Sequence, residues 1–229
     1  MRILLTGFEP FGGSDVNPSQ LVVESITEES IASSVGMEIA RIILPVRKGE
    51  AARRLIETVD SVRPDAVICL GQASRRSVVS VERVFINLRD YELPDDRGVC
   101  ARDEPIDSDG PAAFFSTLPA HDMAQAIRGL GIPAELSYSA GAYLCNEVGY
   151  MLMSHLERTA RAIPAGFIHV PMLPEQAAAA QRAERLSPPS MSLVKSRLAA
   201  ACALDFLVRR NDHSEVAAAN PTIPATVSP

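Results

Sequence analysis

Short apolar runs alternate with amphipathic stretches along nearly the whole chain, and few folds accommodate that order. Arg2–Thr6, Met37–Leu44, Asp65–Leu70, Pro133–Ser139 and Gly166–Val170 each read as a strand. Runs this short and this apolar fit strands buried on both faces. Pro18 to about Ile31, Lys48–Val59, Tyr143–Arg158 and Ser190–Arg209 read as helices. Asn17 is a fitting N-cap for the first, with Pro18 at its first position. In Tyr143–Arg158, residues Val148, Met151, Leu152, His155 and Leu156 share one helical face. Strands alternating with helices predict an α/β fold whose largely parallel sheet is covered on both sides. Gly71–Pro111 is the least regular stretch and is expected to hold a hairpin and a long loop. With no linker or internal repeat, residues 1–211 read as one domain. Residues 212–229, mainly Ala, Pro, Thr and Ser, have little to bury and are expected to form a flexible tail.

Composition excludes several functions. The chain has 229 residues, 47% hydrophobic and 22% charged, as in ordinary soluble domains. A net charge of −6 and no block of Lys and Arg argue against a nucleic-acid partner. No apolar run reaches the roughly 18 residues of a membrane helix, so no membrane partner is expected. The opening MRILLTGFEPFGG is broken by Glu9 and Pro10 and reads as a first strand, not a signal peptide. Cys69, Cys100, Cys145 and Cys202 are scattered without a CxxC pair, so no disulfide framework is expected and the cytoplasm is the expected compartment.

Four segments could carry chemistry. In TGFEPFGGSDVNPS, residues 6–19, Gly7 and Gly12 match part of a phosphate loop, but Gly13 stands where its lysine belongs. Phe8 and Phe11 either pack a tight turn into the core or wall an apolar small-molecule pocket. In SYSAGAYLCNEVGY, residues 137–150, a helix begins near Cys145. Unpaired N–H groups and the helix dipole favour a thiolate there and can hold an oxyanion. The alternative is a small buried core cysteine, the reading that Cys69 receives in its apolar strand.

In AGFIHVPMLPEQ, residues 165–176, His169 ends a strand, where α/β sheets line their ligand crevice. A histidine there can take a thiol proton. His121, His155 and His213 are weaker candidates. No histidine pair has zinc spacing, so no metal is expected, and hydrolysis by a thiol and an imidazole would require no organic cofactor. In GQASRRSVVSVERVFINLRDYELPDDRG, residues 71–98, Glu82 stands in an apolar alternating stretch and needs a partner. Arg83 or Arg89 could be that partner, or Glu82 could orient the imidazole of His169.

Together these segments resemble the pyroglutamyl peptidase I (pyrrolidone-carboxylate peptidase) family over roughly residues 3–205. LLTGFEPFGG with NPS, GQ with VERVFIN, AGAYLCN and GFIHVPMLPEQ occur in the family's order. The resemblance implies a single-domain three-layer α/β/α sandwich with a twisted, mostly parallel mixed sheet, and commonly a homotetramer. It implies Cys145 as nucleophile, His169 as base and Glu82 as orienting acid. It implies that Phe8, Phe11, Gln72, Tyr143 and Leu144 surround a pyroglutamyl ring, and that the substrates are peptides with N-terminal pyroglutamate. The chain departs from the family pattern at Ala142, where threonine is usual, and at Met172, where phenylalanine is usual. It also has Glu92 where many bacterial members carry arginine, near the expected active site. Other readings are a thiol hydrolase of another small amide, a non-catalytic small-molecule binder on the same scaffold, and a nucleotide binder that the missing lysine opposes.

Overall fold

The computed structural model describes residues 1–33, 36–184 and 188–219, with side chains 183–184 and 212–219 left out. Its main sheet has six strands: β1 (Arg2–Phe8), β2 (Glu38–Leu44), β3 (Ala66–Gln72), β4 (Val79–Glu82), β9 (Ala134–Ser137) and β10 (Ala165–Val170). Their spatial order is β2-β1-β3-β10-β4-β9. The first four in that order are parallel. β4 runs antiparallel to β10, and β9 runs parallel to β4. Two small antiparallel pairs stand apart from this sheet: β5 (Val84–Ile86) with β8 (Ala113–Phe115), and β6 (Arg89–Tyr91) with β7 (Ala101–Glu104). Both begin or lie within the stretch expected to hold a hairpin and loop.

Strand alternation builds two cores. Ile3, Leu5, Ile68 and Leu70 pack with α1 (Pro18–Ser25), α3 (Ala120–Gly129) and α6 (Leu193–Ala219). Leu4, Val67, Cys69 and Phe167 face the other way, against α2 (Glu50–Val62) and α4 (Leu144–Arg158). Side chains alternate across a strand, so each buried strand feeds both layers. Fully burying such a Leu, Ile or Phe contributes about 2 kcal/mol, which is why the sheet centre is almost wholly apolar. The result is the three-layer mixed α/β/α sandwich.

Several boundaries differ from the sequence reading. Helix α1 stops at Ser25 because Ile26 turns extended, and a 3₁₀ turn starts at Glu28. Ser30 Oγ accepts the Thr27 N–H at 2.9 Å, so a new cap interrupts the expected helix to Ile31. The N-terminus of α1 follows expectation: Asn17 accepts the Ser19 N–H and Pro18 is the first residue. Helices α3 and α5 (Pro174–Glu184) have no counterpart in the sequence reading. Helix α6 continues through Ala219, into the stretch expected as a tail, and residues 220–229 lie outside the described residues. Among the described residues no helix is long and apolar enough to cross a membrane.

Candidate active site

β10 and β4 bring together two residues that lie far apart in sequence. His169 is opposite Ser80, and Ile168 is opposite Val81. Continuing that antiparallel ladder puts Glu82 level with Phe167, whose side chain shares a sheet face with His169. Both groups are buried, Glu82 completely and His169 to 4% exposure. His169 Nδ1 and Glu82 Oε1 are 2.7 Å apart. A carboxylate can only accept, so Nδ1 carries the proton and Nε2 is left as the acceptor.

Glu82 has a cationic partner, and it is neither Arg83 nor Arg89. Arg76 Nη1 donates to Glu82 Oε1 at 2.5 Å, and Arg76 Nη2 donates to the Ser139 carbonyl at 2.6 Å. Arg83 instead donates to the Ser116 carbonyl and lies over the Phe115 ring. Arg89 pairs with Glu147. Arg76 was invisible to the sequence reading because it sits in the irregular turn before β4, where spacing carries no directional information. Its guanidinium gives the buried carboxylate a charged hydrogen-bond partner, which offsets part of the cost of desolvating it.

Cys145 is the second residue of α4. The N-cap residue Tyr143 supplies no side-chain hydrogen bond to the helix, so first-turn N–H groups remain available to an oxyanion. Cys145 and His169 line one open cavity with Gln72, Arg76, Glu92 and Tyr143. Burial pushes the Cys145 thiol up to about 12, and the Glu82 charge adds to this. The Cys145 backbone N–H and Arg76 oppose the rise without cancelling it. Attack by Cys145 therefore calls for a proton acceptor, and His169, whose Nε2 is free of the Glu82 contact, lines the same cavity.

A smaller pocket opens beside the thiol. Phe8, Phe11, Gln72, Tyr143 and Leu144 all line it with Cys145, and about 290 Å³ of empty space lies within and before it. Asn17 and Val46 complete the wall. The sequence offered Asn17 only as a helix cap and offered no signal for Val46. Gln72 is held from both sides: its Nε2 donates to Ser74 Oγ at 2.8 Å, and its Oε1 accepts from Gln176 Nε2 at 3.1 Å. Gln176 comes from α5, directly after the histidine strand.

The remaining candidates lie elsewhere. His155 Nε2 is 2.8 Å from Asp60 Oδ1, a contact between α4 and α2. His121 is exposed beside Asp122. The side chain of His213 lies outside the described residues. Glu92 borders the open cavity, but its side chain is 85% exposed and pairs with Arg102 at 2.9 Å. Among the described residues no cluster of His, Cys, Asp and Glu is arranged to hold a metal ion.

Comparison with known proteins agrees with this architecture. The family model described as pyroglutamyl peptidase matches residues 1–209. A pyrrolidone-carboxylate peptidase of Vibrio vulnificus is 44% identical over 192 residues, 84% of this chain and 85% of the relative. One from Yersinia pestis is 43% identical over 205 residues, 90% of this chain and 94% of the relative. The crystal structure of pyroglutamyl peptidase I from Bacillus amyloliquefaciens superposes with a TM-score of 0.83 at 36% identity, covering 91% of this chain and 97% of that one. A variant pyrrolidone carboxyl peptidase from Pyrococcus furiosus gives 0.85 at 36% identity, covering 92% and 100%. With the family matched over nearly its whole length and relatives above two-fifths identity, the chain belongs to the pyroglutamyl peptidase family.

Proposed function

We propose that this protein is a cysteine exopeptidase that removes an N-terminal pyroglutamyl residue from peptides, with Cys145 as nucleophile, His169 as base and Glu82 as orienting acid. The observation that carries this reading is the buried Glu82–His169 pair, whose His169 shares a cavity with a thiol at a helix start. His169 Nε2 takes the thiol proton as Cys145 Sγ bonds to the pyroglutamyl carbonyl carbon. First-turn N–H groups of α4 hold the oxyanion. His169 returns the proton to the leaving amine, a thioester remains, and water, deprotonated by His169, cleaves it to pyroglutamate and free thiol. Glu82 stabilises the transient imidazolium.

Phe8, Phe11, Gln72, Tyr143 and Leu144 hold the ring. Pyroglutamate is a lactam without an ammonium group, so an apolar pocket with few hydrogen bonds suits it. A free N-terminus would lose several kcal/mol on desolvation there. The reading extends to a homo-oligomer, a tetramer by family resemblance, supported by apolar side chains such as Phe115 and Tyr138 left 65% and 70% exposed. It also puts the enzyme in the cytoplasm, where a catalytic thiol stays reduced.

The test is turnover of a pyroglutamyl-coumarin amide beside the glutaminyl amide. Only the first should be cleaved, iodoacetamide should stop the reaction, and Cys145→Ser should fold normally with nearly all turnover lost. Full activity in a folded Cys145→Ala variant, or equal kcat/KM for the two amides, refutes the reading.

A further inference from the structure

Glu147 lies two residues after Cys145 on α4, and its side chain is only 2% exposed. Its Oε1 accepts the Gly49 N–H at 2.9 Å and Arg89 Nη2 at 2.8 Å. Arg89 is 13% exposed, and its Nη1 donates to the Pro105 carbonyl at 3.0 Å. Three segments therefore meet at one carboxylate oxygen: the start of α4, the turn between β2 and α2, and the β6–β7 arm.

Each segment bears on the small pocket beside Cys145. Tyr143 caps α4 and Leu144 opens it, and the Glu147 N–H donates to the Tyr143 carbonyl at 3.2 Å. Val46 belongs to the turn that Gly49 ends. The arm sets Tyr91 edge-on against the Tyr143 ring, 4.7 Å between centroids. The arm and the turn are also joined directly, Lys48 N–H to Asp95 Oδ2 at 2.9 Å and Asp96 N–H to the Val46 carbonyl at 3.0 Å.

Polar accounting argues against a purely stabilising role for the pair. Glu147 Oε2, Arg89 Nε and Tyr91 OH are all buried, and none has a hydrogen-bond partner among the described residues. Unmatched buried polar atoms cost stability, and apolar side chains of similar volume often replace a buried ion pair without loss. What the pair does supply is a fixed spacing between three pocket-bearing segments.

We infer that Glu147, held by Arg89, is a positioning and specificity-determining residue for the pyroglutamyl ring: it sets the separation between the Val46 wall and the Tyr143 wall of the pocket. The inference rests on the pyroglutamyl peptidase reading above. Glu147 acts through its neighbours and does not touch the reacting atoms.

The experiment separates ring affinity from nucleophile reactivity. Pyrrolidin-2-one, the bare ring, is titrated as a protectant of Cys145 against iodoacetamide, with alkylation read by mass spectrometry of the Cys145 peptide. KM and kcat for the pyroglutamyl-coumarin amide are measured alongside. In Glu147→Gln, and in the double variant Arg89→Met with Glu147→Met, the half-protecting concentration and KM should both rise about tenfold, the scale of a small misplacement of a binding wall. The unprotected alkylation rate should stay within about twofold of the parent. Unchanged ring protection in either folded variant overturns the inference. So does slowed alkylation with ring affinity intact, because Glu147 would then serve the nucleophile and not the pocket. If Glu147→Gln leaves Arg89 unmatched and fails to fold, the double variant, which buries no charge, decides. A parent protein that neither cleaves the amide nor is protected by the ring refutes the peptidase reading itself, before any variant is compared.

Discussion

A Cβ on Gly71 would sit 2.9 Å from the Sγ of Cys145 and 2.7 Å from the Cζ of Phe167. Gly71 stands opposite His169 in the β3–β10 ladder, so the strand that supports the histidine must be bare where the thiol approaches. Gly71→Ala should leave the sheet folded and displace Cys145 or Phe167. We expect kcat to fall by about a hundredfold, the scale of a misplacement near 1 Å, with a far smaller effect on melting temperature. Parent-like kcat in the folded variant would show that the thiol has other room.

Arg76 and Glu82 should behave as one unit. Removing Arg76 leaves a fully buried carboxylate with only the imidazole, and Glu82→Gln removes the charge that Arg76 serves. Arg76→Ala and Glu82→Gln should each lower kcat/KM. The double variant should be less impaired than the two losses multiplied, with a coupling of about 1–3 kcal/mol. Strict additivity in a double-mutant cycle would mean that Arg76 acts mainly through Ser139.

The buried Cys69 thiol should make the protein sensitive to alkali. Burial pushes it up to about 12. In the unfolded chain this thiol ionises at about 8.5, so above that pH the unfolded state holds fewer protons than the native state. The stability contributed by the protonated thiol is full below about pH 8.5 and is lost as pH rises toward 12, by about 1 kcal/mol per pH unit. Denaturant midpoints between roughly pH 9 and 11 should therefore fall less steeply in Cys69→Ala than in the parent. Equal slopes would contradict the burial argument.

Glu92 should matter little to the thiol. It borders the cavity, but it is largely exposed and already paired with Arg102. Screening by solvent and salt leaves such a charge small influence at a distance. Glu92→Arg should change the Cys145 alkylation rate by less than about twofold at either low or high salt. A larger acceleration that disappears at high salt would show that the arm brings this position closer to the thiol.

The α/β class, the two-sided burial of the central strands and the helix beginning beside Cys145 follow from patterns that are local in sequence. Apolar runs of strand length, helical stripes and the Asn17–Pro18 cap declare themselves because each depends on neighbours a few residues away. Cys145 and His169 could be singled out for the same reason, at a helix start and a strand end, whereas Glu82 stands out only as a carboxylate in an apolar alternating stretch and takes its role from the family resemblance. Their assembly could not. The antiparallel entry of β4 beside β10, the choice of Arg76 over Arg83 and Arg89 as the partner of Glu82, and the contact between Gly71 and Cys145 all join residues remote along the chain. So does the meeting of Glu147, Gly49 and Arg89. These relations depend on strand order and on which side chains fill a common interior. Periodicity predicts which face a residue occupies, but only tertiary packing decides what stands opposite it.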